Sequence, residues 1–264
     1  MKFLKKLLND LLGLFQVVGP RLATLWGFKI LSNLPIIIQG RNLQAADRAM
    51  GLGPFKIHHP RCKSGFKIMG FGAFSGIREM YVRDTYLHGG LLTIDDGDTV
   101  VDLGANMGNF TNLALAHGPS VKVISVEPGL ELNKMLRTSV GQNEGFLART
   151  QLVRAFLGSA TEKQDSKNLD KQYDGAAWLT EEELIESASI TKIDFLKCDI
   201  EGGEFALLQP SSKILQMTRK IGIEVHHFGG DVEGFLSMLK TQGFDLMNIQ
   251  RDPDGTVTAL GIRR

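Results

Sequence analysis

The chain has 264 residues, 43% hydrophobic and 22% charged, which fits one large globular domain or a domain with an appendage. Thirty Lys and Arg against 29 Asp and Glu leave a net charge of +1, so broad electrostatic capture of nucleic acid is not expected. The two cysteines, Cys62 and Cys198, are too few for a disulfide framework and fit a reducing cytoplasm.

In chain order, Leu4, Leu7, Leu8, Leu11 and Phe15 recur at helical spacing, with Lys5, Lys6, Asn9 and Asp10 on the other side, which predicts an amphipathic helix. Asn9 and Asp10 interrupt any signal-peptide core, no small-x-small cleavage site follows, and Gly19-Pro20 ends the helix. The longest uncharged runs, Leu11 to Pro20 and Ile30 to Gly40, fall short of the roughly 18 residues of a spanning helix. From Met1 to Gly40 five side chains are positive and one is negative. Two readings follow: peripheral contact with an anionic membrane face, or a helix packed on its own domain or on a partner subunit of a homo-oligomer; the second is the expectation.

Residues 1–50 thus read as a helical extension, 51–97 as a small β or irregular segment, and 98–264 as the core domain. Between Gly51 and Gly90, Phe55-Lys56-Ile57, Phe66-Lys67-Ile68 and Met80-Tyr81-Val82 suggest a β meander, with His58, His59, Arg61 and Lys63 on a solvated basic loop. From Asp98 strands and helices alternate, which implies parallel pairing. Strands are expected at Thr99–Leu103, Val121–Val126, Gln151–Phe156, Ile193–Cys198, Ile221–Val225, Phe244–Ile249 and Thr256–Ile262. Helices are expected at Asn109–His117, at Leu130–Val140 and from an Asp231 N-cap to Gln242, with Gly243 as stop. Arg251 to Gly255 reads as a hairpin turn. Thr161 to Lys171 reads as an exposed loop, and Leu179 to Ile185 as a short acidic helix capped by Thr180.

The central stretch is Val100-Val101-Asp102-Leu103-Gly104-Ala105-Asn106-Met107-Gly108-Asn109-Phe110-Thr111: a buried strand, a glycine turn and a helix start, with backbone N–H groups free for an anionic or polar ligand. Its D-x-G-x-x-x-G spacing departs from the G-x-G-x-x-G of dinucleotide folds. The next strand ends in Glu127-Pro128, and an acid at that tip is where a ribose diol is held. Here the sequence resembles the S-adenosylmethionine-dependent methyltransferases, and within them the FkbM family. Asp102 to Thr111 and Val126-Glu127-Pro128 look like its first two motifs, and Leu196-Lys197-Cys198-Asp199-Ile200-Glu201-Gly202-Gly203-Glu204 looks like its K-x-D-x-E-G-x-E.

The resemblance, which covers about Arg78 onward, implies a class I, Rossmann-like, seven-stranded and mostly parallel sheet with an antiparallel last strand. It implies S-adenosyl-L-methionine as cofactor and O-methylation of a hydroxyl, or secondarily a carboxyl, of a small molecule or glycan. Competing readings are a non-catalytic nucleotide- or cofactor-binding module and a nucleic-acid methyltransferase; the latter lacks a basic stripe and a base-binding motif. Asp102, Gly104, Ala105, Asn106, Gly108, Glu127 and Asp199 are the expected cofactor residues. Arg78 and Asp84 resemble the family's N-terminal R…D segment, which implies an arginine near cofactor or substrate; a surface ion pair is the equal alternative.

Methyl transfer needs an aligned nucleophile and a group to take its proton. Glu201 and His226 are expected as the base, His226 as a neutral imidazole, with Asp199 as positioning acid. Three acids in six residues, Asp199, Glu201 and Glu204, repel one another unless a cation, a proton or a donor sits among them. A divalent metal on Asp199, Glu201 or Glu224 and a histidine ranks below metal-free base catalysis, because no ligand spacing specifies it.

Overall fold

In the computed structural model, which describes residues 2–40, 42–158 and 171–264, the N-terminal periodicity becomes α1 (Lys2–Val17), followed by α2 (Pro20–Ser32), α3 (Leu34–Gly40) and α4 (Gln44–Arg48). Leu14, Val17 and Trp26 are buried, with Leu7 and Leu11 packed against them. Both acids of this region point inward. Asp10 and Asp47 are each 1% exposed. Arg78 Nη1 donates to Asp10 at 2.8 Å and its Nε to Asp47 at 3.0 Å, while Arg83 Nε donates to Asp10 at 2.9 Å. Arg78 therefore neither faces a cofactor nor forms a surface pair; its buried guanidinium locks the N-terminal helices to the rest of the chain. Asp84 pairs with Arg61.

The expected meander has two strands, not three. β1 (Phe55–Ile57) and β2 (Phe66–Ile68) pair antiparallel. Met80 to Val82 falls in a π-helical turn, Ile77–Val82, that continues α5 (Ala73–Gly76). Ile77, Arg78 and Tyr81 are its buried residues, and that spacing follows a helix face and not the alternation of a strand. His59 also departs from its expected solvated loop: it is buried beside Tyr81 and His117, and burial pushes its pKa down to about 4.

The core follows as β3 (Thr99–Leu103), α6 (Asn109–His117), β4 (Lys122–Val126), α7 (Leu130–Gly141), β5 (Thr150–Val153), β6 (Ala155–Leu157), β7 (Ala177–Leu179) and α8 (Glu181–Ser187). Then come β8 (Ile193–Cys198), α9 (Glu204–Leu207), α10 (Lys213–Met217), β9 (Thr218–Val225), α11 (Val232–Thr241), β10 (Phe244–Arg251) and β11 (Val257–Arg263). Seven strands form one sheet in the order β10-β11-β9-β8-β3-β4-β5. Only β11 runs antiparallel to its neighbours, after the turn in which Asp252 N donates to Thr256 O at 2.9 Å. This is the Rossmann-like sheet that the sequence predicts.

Two local expectations change. Gln151–Phe156 reads as one strand, but pairing with β4 stops at Val153 and residues 155–157 leave the sheet to pair with β7. Arg154 sits at the break, its guanidinium donating to the Asp174 carbonyl. Asp231 occupies the N-cap of α11 without a capping side-chain bond. Thr161–Lys171 lies outside the described residues, except that Lys171 opens a 3-10 turn, Lys171–Tyr173. Thr180 caps α8 as expected, accepting from Glu183 N at 3.2 Å while Glu183 Oε2 accepts from Thr180 N at 2.8 Å.

Strand alternation divides the core between two faces. One hydrophobic cluster joins Leu14, Trp26, Ile57 and Phe74 to Val100, Phe110 and Phe195, so α1, α2, β1 and α5 share a core with one face of the sheet. The other collects Val101, Leu196, Ile223 and Leu236.

Candidate functional site

The strand order reverses between β3 and β8, and the carboxyl ends of these neighbours open a crevice. Gly104 leaves β3 with φ 73°, and a Cβ there would stand 1.7 Å from the carbonyl oxygen of Asp199. Only glycine lets the two loops approach so closely. The Gly104 and Ala105 N–H groups both donate to Val126 O at 3.0 Å, which ties the loop to β4. At the tip of β4 the Glu127 carboxylate accepts from Asn106 N at 2.9 Å and from Gly129 N at 2.8 Å. Burial raises its pKa even so, outweighing the two backbone donors.

Beneath the loop lies a buried pair. Lys197 on β8 is 1% exposed and Asp102 on β3 is 0% exposed in their side chains, with Nζ and Oδ1 3.3 Å apart. Lys197 also donates to Gly104 O at 2.6 Å and Leu103 O at 3.2 Å, and Thr111 donates to Asp102 Oδ2 at 2.7 Å. Burial acts to lower the Lys197 pKa, but Asp102 and Asp199 outweigh it and the value rises, so the ammonium stays charged.

Above the loop is a cavity of about 420 Å³, lined by Gly104, Asn106, Glu127, Asp199 and Glu201 on its polar side. That volume is within the roughly 300–1,000 Å³ of small-molecule sites. The far wall is aromatic: Phe156 stacks on Trp178 at 4.8 Å and meets Tyr173 edge-on at 5.1 Å. This wall exists because β6 leaves the sheet and sets Phe156 opposite Trp178 on β7.

At the mouth, carboxylates gather around one imidazole. His226 Nδ1 bonds Glu204 Oε1 at 2.9 Å; its Nε2 stands 3.5 Å from Glu201, 3.9 Å from Asp199 and 4.0 Å from Glu224. The Glu204 hydrogen bond and the nearby acids overcome burial and raise the His226 pKa to about 9. The imidazole expected to be neutral therefore carries a proton at neutral pH. Tyr86, 1% exposed, donates to Glu224 at 3.3 Å and Asp199 at 3.4 Å. Burial, then Asp199 and Glu79, raise the Glu224 pKa to about 8. Glu201 turns outward at φ 52°, its side chain 81% exposed.

Of the residues expected to bind cofactor, Gly104, Asn106, Glu127 and Asp199 line the cavity. Asp102, Ala105 and Gly108 do not: Asp102 pairs with Lys197 under the loop, and Gly108, at φ 89°, begins α6. Of the expected catalytic residues, Asp199 and Glu201 line the cavity, and His226 stands behind Glu201. It follows β9, one strand beyond the pair that flanks the switch point. Sequence reasoning missed Lys197, although a lysine inside the apolar run Ile193–Cys198 calls for a buried partner. It also missed Tyr86, Glu79 and the aromatic wall, for which no local signal exists.

The sequence profile of the methyltransferase FkbM domain matches residues 102–246, more than half of the chain. No curated protein matches in sequence. Similar solved structures include the Methanococcus jannaschii fibrillarin pre-rRNA processing protein, at 15% identity over 65% of this chain and 69% of that one, with a TM-score of 0.42. Precorrin-6y C5,15-methyltransferase from Geobacter metallireducens GS-15 is similar at 12% identity over 64% and 82%, with a TM-score of 0.41. Aeropyrum pernix fibrillarin with natively bound S-adenosyl-L-methionine follows at 14% over 65% and 69%, with a TM-score of 0.37.

Proposed function

The chain belongs to the FkbM methyltransferase family, and on that premise we propose that this S-adenosylmethionine-dependent methyltransferase modifies a hydroxyl of a small molecule or glycan. The residues present fit the cofactor. Glu127 offers a fixed carboxylate for a ribose diol, Gly104 keeps the loop open where any Cβ would collide, and Phe156 and Trp178 offer a stacking face for adenine. Asn106 and Asp199 complete the polar lining. Bound there, the cofactor supplies a methyl group on a sulfonium, an electrophile that needs no further activation.

The chain's own part is to orient an acceptor and take its proton. Asp199 lines the cavity and accepts from Tyr86, so its carboxylate is the positioning group; Glu201, at the rim, takes the hydroxyl proton. Protonated His226, 3.5 Å from the Glu201 carboxylate, holds it at the rim, and Glu204 fixes the ring through Nδ1. One observation carries the hydroxyl reading: three carboxylates, Asp199, Glu201 and Glu204, crowd the mouth around His226, among the described residues the one cation within 4 Å of all three. Such a mouth repels a carboxylate acceptor and a phosphate backbone, and leaves a neutral hydroxyl favoured. Incubation with labelled S-adenosylmethionine and cell extract, with products sorted by solubility and mass, tests it. Label in a base-stable methyl ether of a small molecule or glycan is expected; label only in RNA or DNA refutes it.

A second reading rests on donor spacing: one ligand atom each from Asp199, Glu201 and His226 lie within 4.8 Å of one another, as a single divalent ion requires. Glu204 would then hold the far ring nitrogen, as carboxylates commonly do behind a metal-bound histidine. Under this reading activity vanishes on chelation and returns with magnesium or manganese; under the first it is indifferent to both. Both cysteines are free, which supports a cytoplasmic setting as part of the same proposal.

A further inference from the structure

Nine of the fifteen large apolar side chains exposed among the described residues fall between Leu8 and Ile38. They form outward stripes on successive helices: Leu12 and Phe15 on α1, Phe28 and Leu31 on α2, Ile36 and Ile38 on α3, from 41% to 67% exposed. On α1 and α2 the inward side of the same helix is already filled, by Leu14 and Val17 and by Ala23 and Trp26, so these stripes are a second apolar surface and not a misread core face.

Charge is the second, independent observation. The acids between residues 5 and 50 are Asp10 and Asp47, and both are consumed inside by Arg78. The solvent side of this region therefore carries only positive charge: Lys5, Lys6 and Arg21 are exposed and Lys29 is half-buried. Among the described residues no single helix is long and apolar enough to cross a bilayer; α2 and α3 reach that length and apolarity only together, across a 74° bend where Asn33 Nδ2 donates to Lys29 O at 2.8 Å. An apolar surface spread over three short helices, whose exposed charges between residues 5 and 50 are all positive, suits insertion at the level of anionic headgroups. A second copy of the chain suits it less, because a two-fold contact would set Lys5, Lys6 and Arg21 near their own equivalents.

We infer that α1–α3 dock the protein on the surface of an anionic lipid bilayer. The inference does not depend on the identity of the methyl acceptor. It is tested by sedimenting the full chain with vesicles of phosphatidylcholine containing about 30% phosphatidylglycerol, and with vesicles of phosphatidylcholine alone. The chain should pellet with the anionic vesicles, at least about fivefold less with the neutral ones, and less again at high salt. Phe28→Ser with Leu31→Ser removes apolar area without changing charge and should weaken binding at least about tenfold. Its melting temperature and S-adenosylhomocysteine affinity should stay unchanged, which shows that the fold survives. Equal partition onto neutral vesicles, unchanged binding of the double variant, or a dimer that ignores vesicles and dissolves on the same substitutions overturns the inference.

Discussion

Replacing Lys197 with methionine removes a charge that three groups depend on. Asp102 has 0% side-chain exposure and its Oδ1 has no hydrogen-bond donor, so the ammonium 3.3 Å away is its counter-charge. The Gly104 and Leu103 carbonyls lose their donor at the same time. Breaking a buried pair from one side costs about 3–5 kcal/mol, because the remaining carboxylate is left uncompensated. Pairing Lys197→Met with Asp102→Asn removes that charge, and the double variant should recover about 2 kcal/mol, since an amide still accepts from Thr111. The urea midpoint of each variant, at unchanged slope, gives the comparison. Because Lys197 holds the Gly104 carbonyl, the single variant should also bind S-adenosylhomocysteine more weakly. A loss below about 1 kcal/mol for Lys197→Met, or no recovery in the double variant, would refute the argument that the lysine is a counter-charge.

Glu127→Ala should weaken S-adenosylhomocysteine at least about a hundredfold by calorimetry, as two hydrogen bonds to a charged acceptor are worth about 1.5–3 kcal/mol each; NAD bound in preference would instead reject the cofactor assignment. Gly104→Val should be worse, since its side chain meets the Asp199 carbonyl before it meets any ligand. Trp178→Ala should cost about 1–3 kcal/mol of the same affinity if the wall stacks on adenine, and an unchanged Kd would exclude that role. Glu201→Gln and His226→Ala should each lower kcat roughly a hundredfold with cofactor affinity nearly intact; full turnover in both would leave proximity alone as the catalyst. Stability should fall on the alkaline side. His226, raised from 6.5 to about 9, contributes stability that is complete below pH 6.5 and is lost as the pH rises through 9. Glu224, raised from 4.5 to about 8, also makes the fold less stable as pH rises between those values. After solvent screening the histidine accounts for roughly 1–2 kcal/mol, a few degrees of Tm, and a flat Tm between about pH 6.5 and 9 would contradict it.

The sheet was legible because its strands announce themselves locally. Val100 to Leu103 and Ile193 to Cys198 are short apolar runs ending in an acid or a glycine, and such runs pair at the centre of a parallel sheet whatever surrounds them. The loop residues were legible for a related reason: Gly104 and Glu127 sit at strand tips, where backbone geometry alone fixes them. Misread residues are those whose state depends on a distant partner. Arg78 looks like a ligand contact until Asp10 and Asp47 arrive from helices 68 and 31 residues earlier in the chain. His226 looks like a base until Glu204, 22 residues before it, claims Nδ1 and the neighbouring carboxylates hold its proton. In both cases the side chain's chemistry is ordinary and its surroundings decide its role. In the mechanism proposed above, that assigns the proton-accepting step to Glu201, the one carboxylate of the cluster that is largely exposed, with His226 as the cation beside it. A charge-preserving test separates the two roles. His226→Lys should retain more turnover than His226→Ala if a positive charge near Glu201 is what matters, whereas a base would be lost equally in both. Comparable turnover of the two variants would return the proton to the histidine.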